Sequence, residues 1–179
     1  MKQIIFIILF ITNIFANGWQ DIHRAVYQEN YSEINRMLSE DFRTVHILTN
    51  NELTPLHLAV KMRNFKLIQL FLKNGADIDA QDKQGRTPLL YAISQNKFKL
   101  AKFFILNGAD FNLENSQGIT PLHQASFSGN IEIVKFLLNI GAETGVKSKT
   151  GSTPFQIAVT KGHFHIADYL MFYKPKSDR

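Results

Sequence analysis

Two hydrophobic patterns divide this chain. From Ile4 to Phe15 apolar residues run on with only Thr12 and Asn13 interrupting them. Further along they thin out and fall one to three positions apart, as in Ile131, Ile133, Val134, Leu137 and Leu138, a spacing that lines one side of a helix. Gly141 closes that stretch. Before it stands a shorter one, Leu122, Ala125 and Ser126, between Thr120-Pro121 and Gly129. A threonine followed by proline opens a helix: the hydroxyl caps a free N–H, and the proline occupies the first helical position, where its missing N–H does no harm. Gly129 ends the short helix, because a residue without Cβ accepts a left-handed backbone. Ser116, Gln117 and Gly118 form a polar turn ahead of it. The pattern predicts a turn, a short helix with a small-residue inner face, a second helix and a loop.

The same phrase occurs four times. TPLHLAV begins at Thr54, TPLLYAI at Thr87, TPLHQAS at Thr120 and TPFQIAV at Thr153, always 33 residues apart. A strict period of this length marks a stack of one repeated unit, each copy too small to bury its own helices.

These residues resemble the ankyrin repeat family. Its phrase, G-x-T-P-L-H-x-A, then G-H-x-E-I-V, then L-L-x-x-G-A-D, is matched by Gly118 to Ala125, Gly129 to Val134 and Leu137 to Ala142. The preceding copy matches through Gly85, Thr87, Pro88, Leu89 and Ala92, then Asn107 to Asp110; the one before through Thr54 to His57 and Ala59, then Gly75, Ala76 and Asp77. The resemblance implies an all-α fold, a solenoid of about five helix-turn-helix units with protruding β-turn fingers. Expected full repeats are 49–81, 82–114 and 115–147, flanked by an N-terminal cap repeat, 17–48, and a C-terminal one, 148–179. The segment from Asp21 to Asp41 aligns at an offset of 34 but lacks Thr-Pro, and the segment from His163 keeps the second-helix pattern and stops at Pro175.

Some positions depart from the phrase. Arg63 and Asn96 stand where Gly129 and Gly162 end the first helix elsewhere, so mild strain is expected at Arg63. Glu52 replaces the turn glycine present at Gly85, Gly118 and Gly151, which predicts a differently shaped first hairpin.

Residues 1–16 have their own order: Lys2, the apolar run, then the small residue Ala16. That is the order of a secretory signal peptide, and the run is short of the roughly 20 apolar residues of a membrane span. Cleavage is expected after Ala16, leaving one repeat domain, 17–179, with no stable membrane anchor. The chain carries 20 basic and 15 acidic residues; loss of Lys2 reduces the formal charge from +5 to +4. The excess is dispersed, with a denser end at Lys174, Lys176 and Arg179, so no nucleic-acid face is expected. There is no cysteine, hence no disulfide framework. The heavy use of Ile, Lys, Asn and Phe resembles an AT-rich bacterial gene, and the expected compartment is the periplasm, or the medium if secreted.

Catalytic chemistry is missing from the pattern. No G-x-S-x-G, H-E-x-x-H or phosphate-binding glycine loop occurs, so no enzyme, no cofactor and no metal are expected. His163 and His165 are two residues apart and would point to different sides of a helix. His57 and His123 hold the histidine place of the family phrase, with His23 aligned to them, and the resemblance implies hydrogen bonds that tie neighbouring turns. His46 stands alone. Asn30-Tyr31-Ser32 spells a glycosylation acceptor, incidental in a bacterial protein.

By resemblance, finger tips and the exposed side of the first helix line a concave groove that binds another protein. Position by position this implicates Leu53, Lys61 and Met62, then Lys83, Gln84, Arg86 and Gln95, then Ile119 and Phe127, and finally Lys161, with Tyr27 as a possible addition. Leu53, Met62, Ile119 and Phe127 are apolar where exposure is expected, and aromatic, Met and Arg residues favour interface centres. The expectation is a monomeric module without catalysis that binds a partner protein. Two alternatives stand beside it. One is an accessory or immunity protein for a single enzyme, for example an oxidative-stress haem enzyme such as catalase. The other is direct binding of haem or a small ligand, for which Met62, His46 or Tyr27 could be offered.

Overall fold

A computed structural model describes residues 22–174, in two compact units divided between Asp77 and Ile78. The expected signal segment, 1–16, lies outside the described residues. The first unit holds α1 (22–27), α2 (Tyr31–Glu40), a 3-10 turn (Phe42–His46), α3 (Pro55–Lys61) and α4 (Phe65–Lys73). The second holds α5 (Pro88–Ser94), α6 (Phe98–Leu106), α7 (Pro121–Ser128), α8 (Ile131–Asn139), α9 (Pro154–Thr160) and α10 (Phe164–Phe172). Among the described residues there is no strand and no helix long and apolar enough to cross a membrane.

Each Thr-Pro does what its chemistry predicts. Thr54, Thr87, Thr120 and Thr153 are extended N-caps whose hydroxyls accept from the backbone N–H three residues on, and the proline follows at the first helical position. Such a cap contributes about 1 kcal/mol to its helix. Of the second helices, α2, α4 and α8 are capped likewise by Asn30, Asn64 and Asn130, whereas Lys97 and His163 give α6 and α10 no side-chain cap bond.

The short helices all end in the same left-handed residue. Its φ is 73° at Gly129 and 74° at Gly162, and the same region is entered by Arg63 at 58° and Asn96 at 55°. The bend expected from the repeat register therefore holds even without glycine, at the expense of a Cβ crowded against its own backbone. Glu29 repeats the device after α1 with φ 52°.

Within the second unit the short helices form one layer, α5 against α7 and α7 against α9, and the longer ones another, α6 against α8 and α8 against α10. Leu89, Ile93, Phe104, Leu122, Ala125, Ile133, Val134 and Leu137 are buried between them. In the first unit α3 packs on α4, with Ile34, Leu56, Leu67, Ile68 and Phe71 buried. Complete burial of Ala125 explains the small residue there: a longer side chain has no free volume to enter.

Candidate functional site

Of the expected binding residues, Leu53, Lys83, Gln84, Arg86 and Ile119 sit on fingers and Lys61, Met62, Gln95, Phe127 and Lys161 at the ends of the short helices; one side chain builds each finger. Thr49, Asp82, Asn115 and Ser148 lie five residues before each Thr of Thr-Pro. Their side-chain oxygens accept from the amides of Leu53, Arg86, Ile119 and Ser152, at 3.0, 2.9, 3.0 and 3.2 Å. The backbone closes the loop from the other side, with Thr49 N–H donating to Leu53 O and Asn115 N–H to Ile119 O. These four residues were not singled out from the sequence. The signal that could have found them is a small polar residue recurring with the 33-residue period.

The first finger corrects one expectation. Glu52 does not reshape the hairpin: its φ is 59°, its N–H reaches Thr49 O at 2.8 Å, and Gly85, Gly118 and Gly151 make the same bond to Asp82, Asn115 and Ser148. The capping side chain and two backbone bonds outweigh the strain of a left-handed glutamate.

In the second unit the fingers are joined. Ser116 N–H donates to Gln84 O and Lys149 N–H to Gln117 O, each at 2.9 Å. The approach depends on glycine, since a Cβ on Gly85 would stand 2.6 Å from Ser116 N and one on Gly118 3.0 Å from Lys149 N.

Leu53 is a second correction. Expected at the surface, it is only 7 % exposed. It occupies the point where the finger turns back into the helix, and a leucine there gains more by folding inward than by facing water. Met62 and Ile119 are half-buried, and Phe127 is the one member of the expected apolar row that is truly open, at 50 %. Leu53 and Met62 belong to the first unit, Ile119 and Phe127 to the second.

Arg86 is held within its own finger. Its guanidinium donates to Asp82 Oδ2 from Nε and Nη2, at 2.9 and 2.7 Å, and lies 4.6 Å from the centre of the Tyr91 ring. Tyr91 donates its hydroxyl to the same oxygen at 2.8 Å. Burial would raise the Asp82 pKa, but hydrogen bonds from Arg86, Tyr91 and the Gln84 amide outweigh it and hold the carboxyl below its ordinary value. Burial first, and the adjacent carboxylate second, push the Tyr91 hydroxyl upward.

The histidines of the repeated phrase prove structural. Thr120 N–H donates to His123 Nδ1 at 3.2 Å, so the neutral ring carries its proton on Nε2, which reaches Ser152 O of the next repeat at 3.0 Å. His57 Nδ1 accepts from Thr54 N–H in the same way. The imidazole thus replaces the Glu or Gln of a capping box, the role Gln156 fills at Thr153. Burial lowers the His123 pKa. Asn30, the first residue of the incidental acceptor phrase, caps α2 by accepting from Glu33 N–H.

Phe127, at the end of α7, is the focus of a small cluster. Lys161 Nζ lies 4.3 Å from its ring centre, a cation–π distance, and His163 Nε2 is 3.2 Å from its carbonyl oxygen. Lys61, Lys83, Gln84 and Lys161 are exposed, and Gln95 is half-buried. No group of three His, Cys, Asp or Glu among the described residues could hold a metal ion. The arrangement offers an apolar ring beside a cation, with amides on the fingers.

Residues 22–115 and 94–178 both match a family model described as Ankyrin repeats (3 copies). Among curated proteins, Delta-latroinsectotoxin-Lt1a of Latrodectus tredecimguttatus is 33 % identical over 69 residues, 38 % of this chain and 6 % of that protein. The chain therefore spans a small fraction of the relative's length.

Proposed function

Because this chain belongs to the ankyrin repeat family, whose members are generally protein–protein interaction modules and typically non-catalytic, we propose that it binds one partner protein through the finger and first-helix face of its second unit. The observation that carries this is Phe127, half-exposed beneath Lys161 on an otherwise well-packed helix. An open aromatic ring beside a cation is the composition of an interface centre, and Ile119 and Gln84 extend it over the fingers. Met62 and Lys61 hold the same register in the first unit.

The order of Lys2, the apolar run and Ala16 supports export to a bacterial periplasm. The mature protein then begins at Asn17, which intact-mass measurement of the native protein checks. Retention of residues 1–16 in a soluble pool overturns the export.

The binding face is tested by replacing Ile119 and Phe127 with serine together. Neither is fully buried, so melting stays near wild type while capture of the native partner is lost; an anchor residue accounts for about 2 kcal/mol or more. Lys161→Ala weakens association less, and mainly at low salt. Normal capture by the double variant puts binding on another face. A haem titration that leaves the Soret spectrum unchanged removes the ligand-binding alternative.

A further inference from the structure

The charges of the second unit are sorted between its two layers. From the finger-capping residue to the end of each short helix, positions 82–95, 115–128 and 148–161, the basic residues are Lys83, Arg86, Lys149 and Lys161, and the one acidic residue is Asp82. The remaining described stretches of the unit, 78–81, 96–114, 129–147 and 162–174, hold six basic and six acidic residues. The fingers and short helices therefore carry the whole charge excess of the described unit.

Asp82 does not offset the lysines. Its side chain is 2 % exposed, and both its oxygens are occupied within the finger. Oδ1 accepts from the Gln84 and Arg86 amides at 2.9 Å each, and Oδ2 from the Arg86 guanidinium and the Tyr91 hydroxyl. Arg86 is thereby matched by its own carboxylate. Lys83, Lys149 and Lys161 are exposed, and no carboxylate pairs with them among the described residues.

The uncharged part of this layer lies in its middle. The amide bonds from Ser116 to Gln84 and from Lys149 to Gln117 set the three fingers side by side, with Lys83 on the first and Lys149 on the third. The second finger contributes Ser116, Gln117 and Ile119, and its helix ends in the open Phe127 ring beside Lys161. An amide and apolar centre is thus flanked by ammonium groups whose field is not cancelled locally.

We propose, resting on the reading of this layer as the partner-binding face, that the partner presents an acidic segment to it. One apolar side chain of that segment packs on Ile119 and Phe127, and aspartates or glutamates to either side meet Lys83, Lys149 and Lys161. Carboxylates placed there gain Coulomb attraction without breaking an existing ion pair, whereas a basic segment is repelled as it approaches. Nucleic acid fits less well: its phosphates repeat at every nucleotide and call for an unbroken row of cations, which the neutral middle finger interrupts.

Selection from a phage-displayed library of random peptides, with the purified protein as bait, tests the proposal. The recovered peptides are expected to carry net negative charge around an aromatic or aliphatic residue. With one of them labelled, fluorescence anisotropy should show the dissociation constant rising about tenfold or more when its Asp and Glu become Asn and Gln, and again when Lys83, Lys149 and Lys161 together become glutamate. Affinity should also fall as salt rises from about 0.01 to about 0.15 M. The triple variant should melt like wild type, and selection against it should return basic peptides, a result that misfolding cannot give. Neutral or basic peptides that bind the wild type and are lost on Ile119→Ser with Phe127→Ser overturn the acidic partner and leave the face standing. Peptides that bind the double variant normally, or a selection that yields none bound through this face, overturn both. A short DNA duplex that binds more tightly than the recovered peptides puts phosphate opposite the lysines and overturns the proposal as well.

Discussion

The imidazole of His163 lies so close over Gly129 that a Cβ built on the glycine would stand 2.6 Å from its Cε1. Gly129 is also left-handed, as is Gly162, where a Cβ would meet nothing within 4 Å. Alanine at Gly162 should therefore cost only the backbone strain, about 1–2 kcal/mol. Alanine at Gly129 should cost more, because the ring must also leave Phe127 O. Urea unfolding of both variants, alone and combined with His163→Ala, measures the difference, and the histidine change should abolish the excess.

Glu52 adopts the finger conformation that glycine provides in three other copies. Replacing it with glycine removes Cβ crowding of about 1–2 kcal/mol but adds chain entropy to the unfolded state, worth about 0.5–1 kcal/mol. The net expectation is a gain of up to about 1 kcal/mol, read as a higher melting temperature. A loss would show that the glutamate side chain contributes binding energy of its own to the finger.

Arg86→Ala should destabilise the fold by about 1–3 kcal/mol, because the nearly buried Asp82 carboxylate loses two charge-assisted bonds. Lysine should rescue it only in part, lacking the planar fork. The Asp82 pKa is depressed in the fold, so this stabilisation is complete above the unfolded value near 3.8 and disappears as pH falls through the folded value. Acid unfolding of the wild type and Arg86→Ala should therefore converge at low pH.

For His123 the sign runs the other way in charge but again favours higher pH. Its folded pKa lies below the ordinary 6.5, so as pH falls below 6.5 the unfolded chain takes up a proton that the folded chain resists. Stability falls through that window at no more than about 1.4 kcal/mol per pH unit. Above it the group contributes nothing further. Glutamine at this position should keep the N-cap bond, as Gln156 does at Thr153, and remove the His123 share of the slope. Melting temperatures between pH 5 and 7 decide it.

Local structure in this chain follows from a few neighbouring residues at a time. Thr-Pro starts the short helices, a recurring left-handed position ends them, and the apolar spacing of Ile133, Val134 and Leu137 chooses the inward side of α8. The period of 33 multiplies each local decision, so the fold class and the structural role of His57 and His123 were legible before any coordinate was known. Exposure was not legible, because it depends on which distant group covers a side chain. Leu53 and Ile119 share a register, yet the first is buried and the second half open. Arg86 has an exposed address but is claimed by Asp82 and Tyr91. Val159 reads like Ile93 and is uncovered because no repeat follows it among the described residues. Local conformation is set by short-range sterics and capping, whereas burial is a property of assembled surfaces, and only the tertiary structure assembles them.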